Sequence, residues 1–292
     1  MTKPGLGARL TAKLMNFERK AAGLERKVAK LDGLNMVYYD NENVSKPVMV
    51  FIHGYTADKT LWHRPAKMLA KDYHIIAPDM AGHGETPYSP DANYSIATQV
   101  EWLAKLLGHL KIDQAHLVGS SMGGFIAAAF AVAHPDMTKS IILLDPAGIT
   151  SPEPSDIGRV FEEEGRNMFL PKTRAEFFAF FDLVMAKPPY MPKFIKNTMA
   201  DVHVSRRDAY EHIFNDFFDT GLLEDKLQNI KAPTLLVWGK KDQILHVSAA
   251  PIWQAGIENC QTIIYEDLGH VPCLEDMKRT MGAVVEFVEG VG

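Results

Sequence analysis

Gly119-Ser120-Ser121-Met122-Gly123 follows the apolar triplet His116-Leu117-Val118 and precedes a helical run at 122–133. The run fits G-x-S-x-G in the strand-turn-helix setting that gives the pattern meaning: a turn so sharp that only small neighbours fit, with the serine hydroxyl raised above the sheet. Ser121 is therefore the candidate nucleophile; Ser120 stands one position too early. A serine hydroxyl attacks only when a base takes its proton. Of eleven histidines, His270 in Asp267-Leu268-Gly269-His270-Val271-Pro272 lies in a loop between the last strand and the last helix, on the side of the sheet where ligands collect. His246 is the reserve candidate, His53 reads as a brace for its own turn, and His83 as a loop residue.

The base needs an acid to fix its tautomer, and a nucleophile on such a turn predicts the chain order Ser, Asp, His. Asp242 fits, reached from its strand through Gly239-Lys240-Lys241. Asp145 is the rival, with a turn-forming Asp before Pro146 as its plain alternative. Attack on an ester builds an oxyanion that backbone N–H groups can hold. Met122 N–H is one expected donor and Tyr55 N–H, in His53-Gly54-Tyr55-Thr56, the other, with Thr56 as runner-up.

These residues require a scaffold, and from residue 35 onward short β-rich runs alternate with helical periods. Strands are predicted at 35–39, 48–53, 74–77, 115–119, 140–144, 234–238 and 261–265, and the clearest helices at 61–70, 96–110, 122–133, 249–255 and 274–288. This is an α/β chain with a mostly parallel central sheet flanked by helices. The alternation stops after Asp145 and resumes at Ala232, and the intervening stretch is helical and proline-rich, as an inserted cap would be. The expected division is an N-terminal helical segment at 1–32, a core at 33–148 and 231–292, and a cap at 149–230. Residues 150–222 hold ten of the 15 phenylalanines. Some must form the cap's own core; Phe178, Phe181 and Phe214 are the candidates for lining an acyl pocket.

Leu6, Leu10, Leu14, Phe17, Ala21, Leu24, Val28 and Leu31 recur at steps of three and four, which predicts an amphipathic helix with a break near Gly23. Residues 1–30 carry eight Lys or Arg against two acids, a local +6 that leaves −11 for the rest of a chain whose net charge is −5. A basic face opposite a Leu/Phe stripe suits peripheral contact with an anionic membrane surface through residues 1–31. Packing of the stripe on the protein's own body or on a second subunit is the alternative. The acidic balance speaks against nucleic acid. Cys260 and Cys273 are too few for a disulfide framework, no apolar run reaches the ~20 residues of a membrane span, and charges interrupt any signal-peptide centre. A cytoplasmic location, at most peripheral at the inner face of the membrane, is the expectation.

From about residue 35 to its end the chain resembles the α/β-hydrolase superfamily. Phe51-Ile52-His53-Gly54-Tyr55 with Lys59 and Trp62, Pro78-Asp79-Met80-Ala81-Gly82-His83-Gly84, Gly119-Ser120-Ser121-Met122-Gly123-Gly124, Asp145-Pro146-Ala147-Gly148, and Trp238-Gly239-Lys240-Lys241-Asp242 with Gly269-His270 are similar to monoacylglycerol lipases and bacterial family V lipases and esterases. The resemblance implies Ser121, Asp242 and His270 as a catalytic triad. The mammalian members carry an N-terminal membrane span, whose place the amphipathic segment is expected to take. Haloalkane dehalogenases and epoxide hydrolases have an aspartate where Ser121 stands. C–C bond hydrolases show a glycine-richer oxyanion loop, cofactor-free haloperoxidases share Ser-Met-Gly-Gly, and the fold also hosts receptors. The expected activity is a serine esterase or lipase for medium to long acyl chains, monoacylglycerols among them, needing no cofactor or metal. Oligomeric state stays open.

Overall fold

The computed structural model describes residues 5–218 and 221–291, without the side chain of Phe218. Its centre is an eight-stranded sheet formed by β1 (Glu25–Leu31), β2 (Leu34–Asp40), β3 (Val48–Ile52), β4 (His74–Pro78), β5 (Ala115–Ser120), β6 (Thr138–Leu144), β7 (Thr234–Gly239) and β8 (Cys260–Tyr265). The order is β1-β2-β4-β3-β5-β6-β7-β8. The β1–β2 and β2–β4 pairs are antiparallel and every later pair is parallel.

Side chains alternate across each strand, so one strand supplies two cores. On one face Val50, Ile52, Leu117, Ile141, Leu143, Leu236 and Trp238 join α3 (Ile96–His109), α4 (Met122–Ala133) and α9 (Ala250–Gly256). On the other, Met49, Phe51, Val118, Ile142, Leu144, Leu235 and Val237 meet α2 (His63–Leu69) and α11 (Met277–Val291), which is preceded by the short α10 (Pro272–Glu275). The central strands β4, β5 and β7 are buried throughout, as strands covered on both faces must be.

Among the described residues, four α-helices lie between β6 and β7: α5 (Asp156–Glu164), α6 (Arg174–Val184), α7 (Lys193–Ser205) and α8 (Arg207–Phe218). Ser155 and Thr173 start the first two by accepting the Gly158 and Glu176 amides on their hydroxyls. Gly165 ends α5 in the left-handed region at φ 62°.

The N-terminal segment is not helical throughout. Helix α1 covers Leu6–Ala21 and stops, and residues 25–31 are a strand instead of more helix. Asp32-Gly33 turns β1 back on β2, with Gly33 at φ 89°, a hairpin signal that overrides the helical spacing of Leu24, Val28 and Leu31. Helix α1 spans core and insertion: Glu18 pairs with Arg64 of α2, and Thr11 Oγ1 donates to Thr198 Oγ1 of α7. Its apolar stripe is only partly covered by the protein's own body: Leu14 is half-buried, whereas Leu6 and Phe17 are 72% and 68% exposed. Among the described residues no helix is long and apolar enough to cross a membrane.

Candidate active site

Strand β5 delivers Ser121 to a turn where it adopts φ 56°, ψ −118°, a region that L-residues occupy only under compulsion. The compulsion is steric and local. A Cβ on Gly119 would stand 2.1 Å from the Gly123 carbonyl oxygen, and one on Gly123 would stand 2.1 Å from the Ile52 carbonyl oxygen. Both glycines let the strand, the turn and α4 close to backbone contact. Ser121 N–H donates to Leu144 O at 2.9 Å, and Ser121 O accepts from the amides of Gly124, Phe125 and Ala147. Met122 opens α4, where first-turn N–H groups have no intrahelical acceptor.

The loop after β3 lies across this turn: a Cβ on Gly54 would be 3.2 Å from Ser121 Cβ. Tyr55 is thereby beside the serine, and Thr56 follows at φ 60°. His53 does brace the turn, since its Nε2 accepts the Met80 N–H at 3.0 Å. A second brace is the Lys59 ammonium, buried at 2% exposure, which pairs with Asp79 at 2.5 Å and Glu85 at 2.7 Å. Asp79 also accepts the Lys59 and Glu85 amides, so both of its oxygens join the two loops. Burial drives the His53 imidazole below its ordinary value and the His83 imidazole well below it, which makes both neutral struts.

His270 and Asp242 meet on adjacent loops. A Cβ on Gly239 would lie 2.1 Å from the Gly269 carbonyl oxygen, so glycine again permits the approach. His270 Nδ1 is 2.7 Å from Asp242 Oδ2, and both side chains are buried. A carboxylate only accepts, so Nδ1 carries a proton, and in the neutral ring Nε2 is the nitrogen with the free lone pair. Asp242 Oδ1 takes the amides of Ile244 and Leu245 at 2.8 and 3.0 Å. Asp145 belongs to the same cluster: polar atoms of Asp145, Asp242 and His270 lie within 4.8 Å of one another. His246 is bonded to Ser248, on its own turn.

Three contacts that spacing did not reveal join the inserted helices to the site. His270 N–H donates to Val184 O at the end of α6. Glu275 accepts the amides of Gly269, Val271 and Lys187, pinning the His270 loop to the chain that follows α6. Tyr55 Oη donates to Tyr210 O at 2.6 Å in α8. Burial pushes the Tyr55 phenol well above its ordinary value and keeps it a donor. The phenylalanines divide. Phe214 is 5.8 Å from Tyr55 between ring centroids, and Phe169, absent from the expected set, is closer at 5.4 Å. Phe181 is buried with Phe177, Met185 and Ala200, with Phe178 packed alongside; Val271, the neighbour of His270, touches that cluster.

Residues 47–277 match the family model described as the alpha/beta hydrolase fold. The chain belongs to the α/β-hydrolase family. It is similar to Lipase 1 of Psychrobacter immobilis, 35% identical over 94% of this chain and 87% of the relative. It is also similar to human monoacylglycerol lipase ABHD6, 30% identical over 84% of this chain and 76% of that one. Among solved structures, a membrane phospholipase A described as a bacterial virulence factor superposes with a TM-score of 0.95 at 32% identity, covering 98% of this chain and 92% of the other. These α/β-hydrolases share the architecture on which the serine turn and the Asp-His pair are built.

Proposed function

We propose that this α/β-hydrolase is a serine ester hydrolase of lipase type, acting on carboxylic esters of medium to long acyl chains, monoacylglycerols among them, through an acyl-serine intermediate. The observation that carries the reading is Ser121 at positive φ, held by glycine contacts at the head of α4. His270 Nε2 takes the Ser121 proton as Oγ attacks the ester carbonyl. The N–H groups of Met122 and Tyr55 hold the oxyanion. His270 then protonates the leaving alcohol, and water attacks the acyl-enzyme by the same steps in reverse. Asp242 keeps the imidazole in the tautomer this requires. The lipase and monoacylglycerol lipase relatives, at 35% and 30% identity, favour ester cleavage over the C–C hydrolase and haloperoxidase alternatives. Phe214, facing Tyr55, lines the acyl site, whereas Phe178 and Phe181 serve the packed cluster that Val271 adjoins.

The partner is a lipid or ester, presented at a surface by α1. Its exposed face mixes Leu6, Leu10 and Phe17 with Arg9, Lys13 and Lys20, the composition of an interfacial helix. Residues 25–31, being a strand, are not part of that contact, and Lys3 lies outside the described residues. The cytoplasmic side of a membrane, where anionic lipid attracts such a helix, is the location proposed. Two assays test the reading. Hydrolysis of p-nitrophenyl esters and monoacylglycerols across acyl lengths should peak at medium or long chains and vanish in Ser121→Ala; turnover confined to acetate and butyrate would overturn the acyl assignment. Co-sedimentation should occur with anionic vesicles and weaken in Leu6→Ser/Phe17→Ser; equal recovery of both proteins, or a concentration-dependent dimer in place of vesicle binding, would overturn the membrane assignment.

A further inference from the structure

Asp145 is fully buried at the end of β6, adopts φ 45°, and has one satisfied oxygen: Oδ1 accepts the Gly239 N–H at 2.8 Å. Oδ2 is buried without an N–H or O–H donor. Its side-chain neighbour is Asp242, whose own oxygens accept from His270, Ile244 and Leu245. Two carboxylates in one dry site repel, and an unsatisfied buried oxygen adds its desolvation penalty. A single proton on Oδ2 removes both difficulties, because a carboxylic acid donates where a carboxylate only accepts.

We infer that Asp145 is a positioning residue: a neutral carboxylic acid whose hydroxyl donates to the Asp242 carboxylate and fixes it against His270. This rests on the triad reading above and assigns its rival acid a separate task. Of the surrounding groups, the Gly239 N–H favours the charged carboxylate, and the rest favour the proton. Burial first, then the Asp242 charge, push the Asp145 carboxyl well above the ordinary range, and Glu275 on α10 adds to this. His270 lies in the same cluster, and burial pushes the nearby Cys273 thiol up, so the pocket around Asp145 is dry. The consequence is chemical: a donor on Asp242 spreads its charge, keeps the imidazolium from being over-stabilised, and holds the carboxylate in one rotamer.

Asp145→Asn is the decisive variant, since an amide keeps the Gly239 acceptor and an N–H donor toward Asp242. It should fold, keep kcat/KM within about threefold of wild type, and leave the acid limb of the pH profile in place. Asp145→Ala should lower kcat by about tenfold or more with little change in KM and move the acid limb upward, as an unshared Asp242 charge raises the His270 imidazolium. Independently of activity, infrared spectra of the wild type at pH 8 should contain a protonated carboxylic carbonyl band that Asp145→Asn lacks. An acid limb displaced downward by about one unit in Asp145→Asn would show that a negative charge had been removed and would overturn the inference. So would failure of that variant to fold, wild-type behaviour of Asp145→Ala, or absence of the band. Ser121→Ala run alongside separates the two levels: turnover surviving there defeats the triad reading, while the infrared band still decides the proton.

Discussion

The strand ends that carry Ser121, Asp242 and His270 and the helices inserted between β6 and β7 reach the same site by different physics. At the strand ends, backbone meets backbone: Gly119, Gly123 and Gly239 each stand where a single Cβ would fall 2.1 Å from a carbonyl oxygen. Position there is fixed by geometry with almost no slack. The inserted helices meet the site through aromatic side chains and separate hydrogen bonds, Tyr55 Oη to Tyr210 O and His270 N–H to Val184 O, with a backbone approach at Gly269, where a Cβ would stand 2.6 Å from Ala186 N. Aromatic packing of that kind tolerates repacking. The proposed mechanism thus puts chemistry in the inflexible part and substrate fit in the adaptable part.

The contrast can be broken first at the chemistry itself. His270→Ala should reduce kcat by at least about 10⁴-fold while leaving thermal unfolding in place. Next in size, Gly123→Ala should destabilise the fold by about 3 kcal/mol or more, because the intruding methyl meets fixed backbone. Gly282→Ala, in α11 with nothing within 4 Å of the added Cβ, should instead stabilise by up to about 1 kcal/mol; thermal melts of the two variants measure the comparison. If Gly123→Ala melts like wild type, the claim of no slack fails.

Within the insertion, Phe181→Ala and Phe214→Ala should part company. Phe181, buried in its cluster, should cost about 3 kcal/mol of stability and affect short and long esters alike. Phe214 should lower kcat/KM for long acyl esters about tenfold more than for acetate, with a smaller loss of stability. Identical chain-length profiles for the two would erase the distinction between pocket and packing. The smallest effect lies far from the site, at Asp40, where burial pushes the carboxyl up but hydrogen bonds from His74 and Lys27 outweigh it and hold it at about 2. A lowered folded-state value contributes stability above the unfolded value of 3.8, here about 2 kcal/mol, which is lost as pH falls toward 2. Asp40→Asn should therefore be less stable at pH 7 with unchanged activity, and denaturant midpoints of the two proteins should converge as pH drops from about 4 to 2.

The same division explains what the sequence could be made to say. The serine turn, the order Ser-Asp-His and the parallel strands were legible because glycines, short apolar runs and loop positions are local signals. The helix predicted for 25–31 failed because steps of three and four among Leu24, Val28 and Leu31 were read as one helix face, whereas the hairpin buries Ala29 and leaves Val28 exposed, and Asp32-Gly33 was the overlooked cue. Glu275 was invisible, since nothing in the spacing says that one carboxylate will collect three amides from two segments. Counting phenylalanines located an aromatic insertion without separating Phe214 beside Tyr55 from Phe181 inside its cluster; Phe169 was missed for the same reason.

The central claim, that Ser121 is the nucleophile, meets its most direct test in the intact mass of the protein after exposure to a long-chain alkyl fluorophosphonate, followed by peptide mapping. One adduct on the peptide containing Ser121, abolished in Ser121→Ala and greatly slowed in His270→Ala, is the predicted result. An adduct on another residue, or equal labelling of Ser121→Ala, would contradict it.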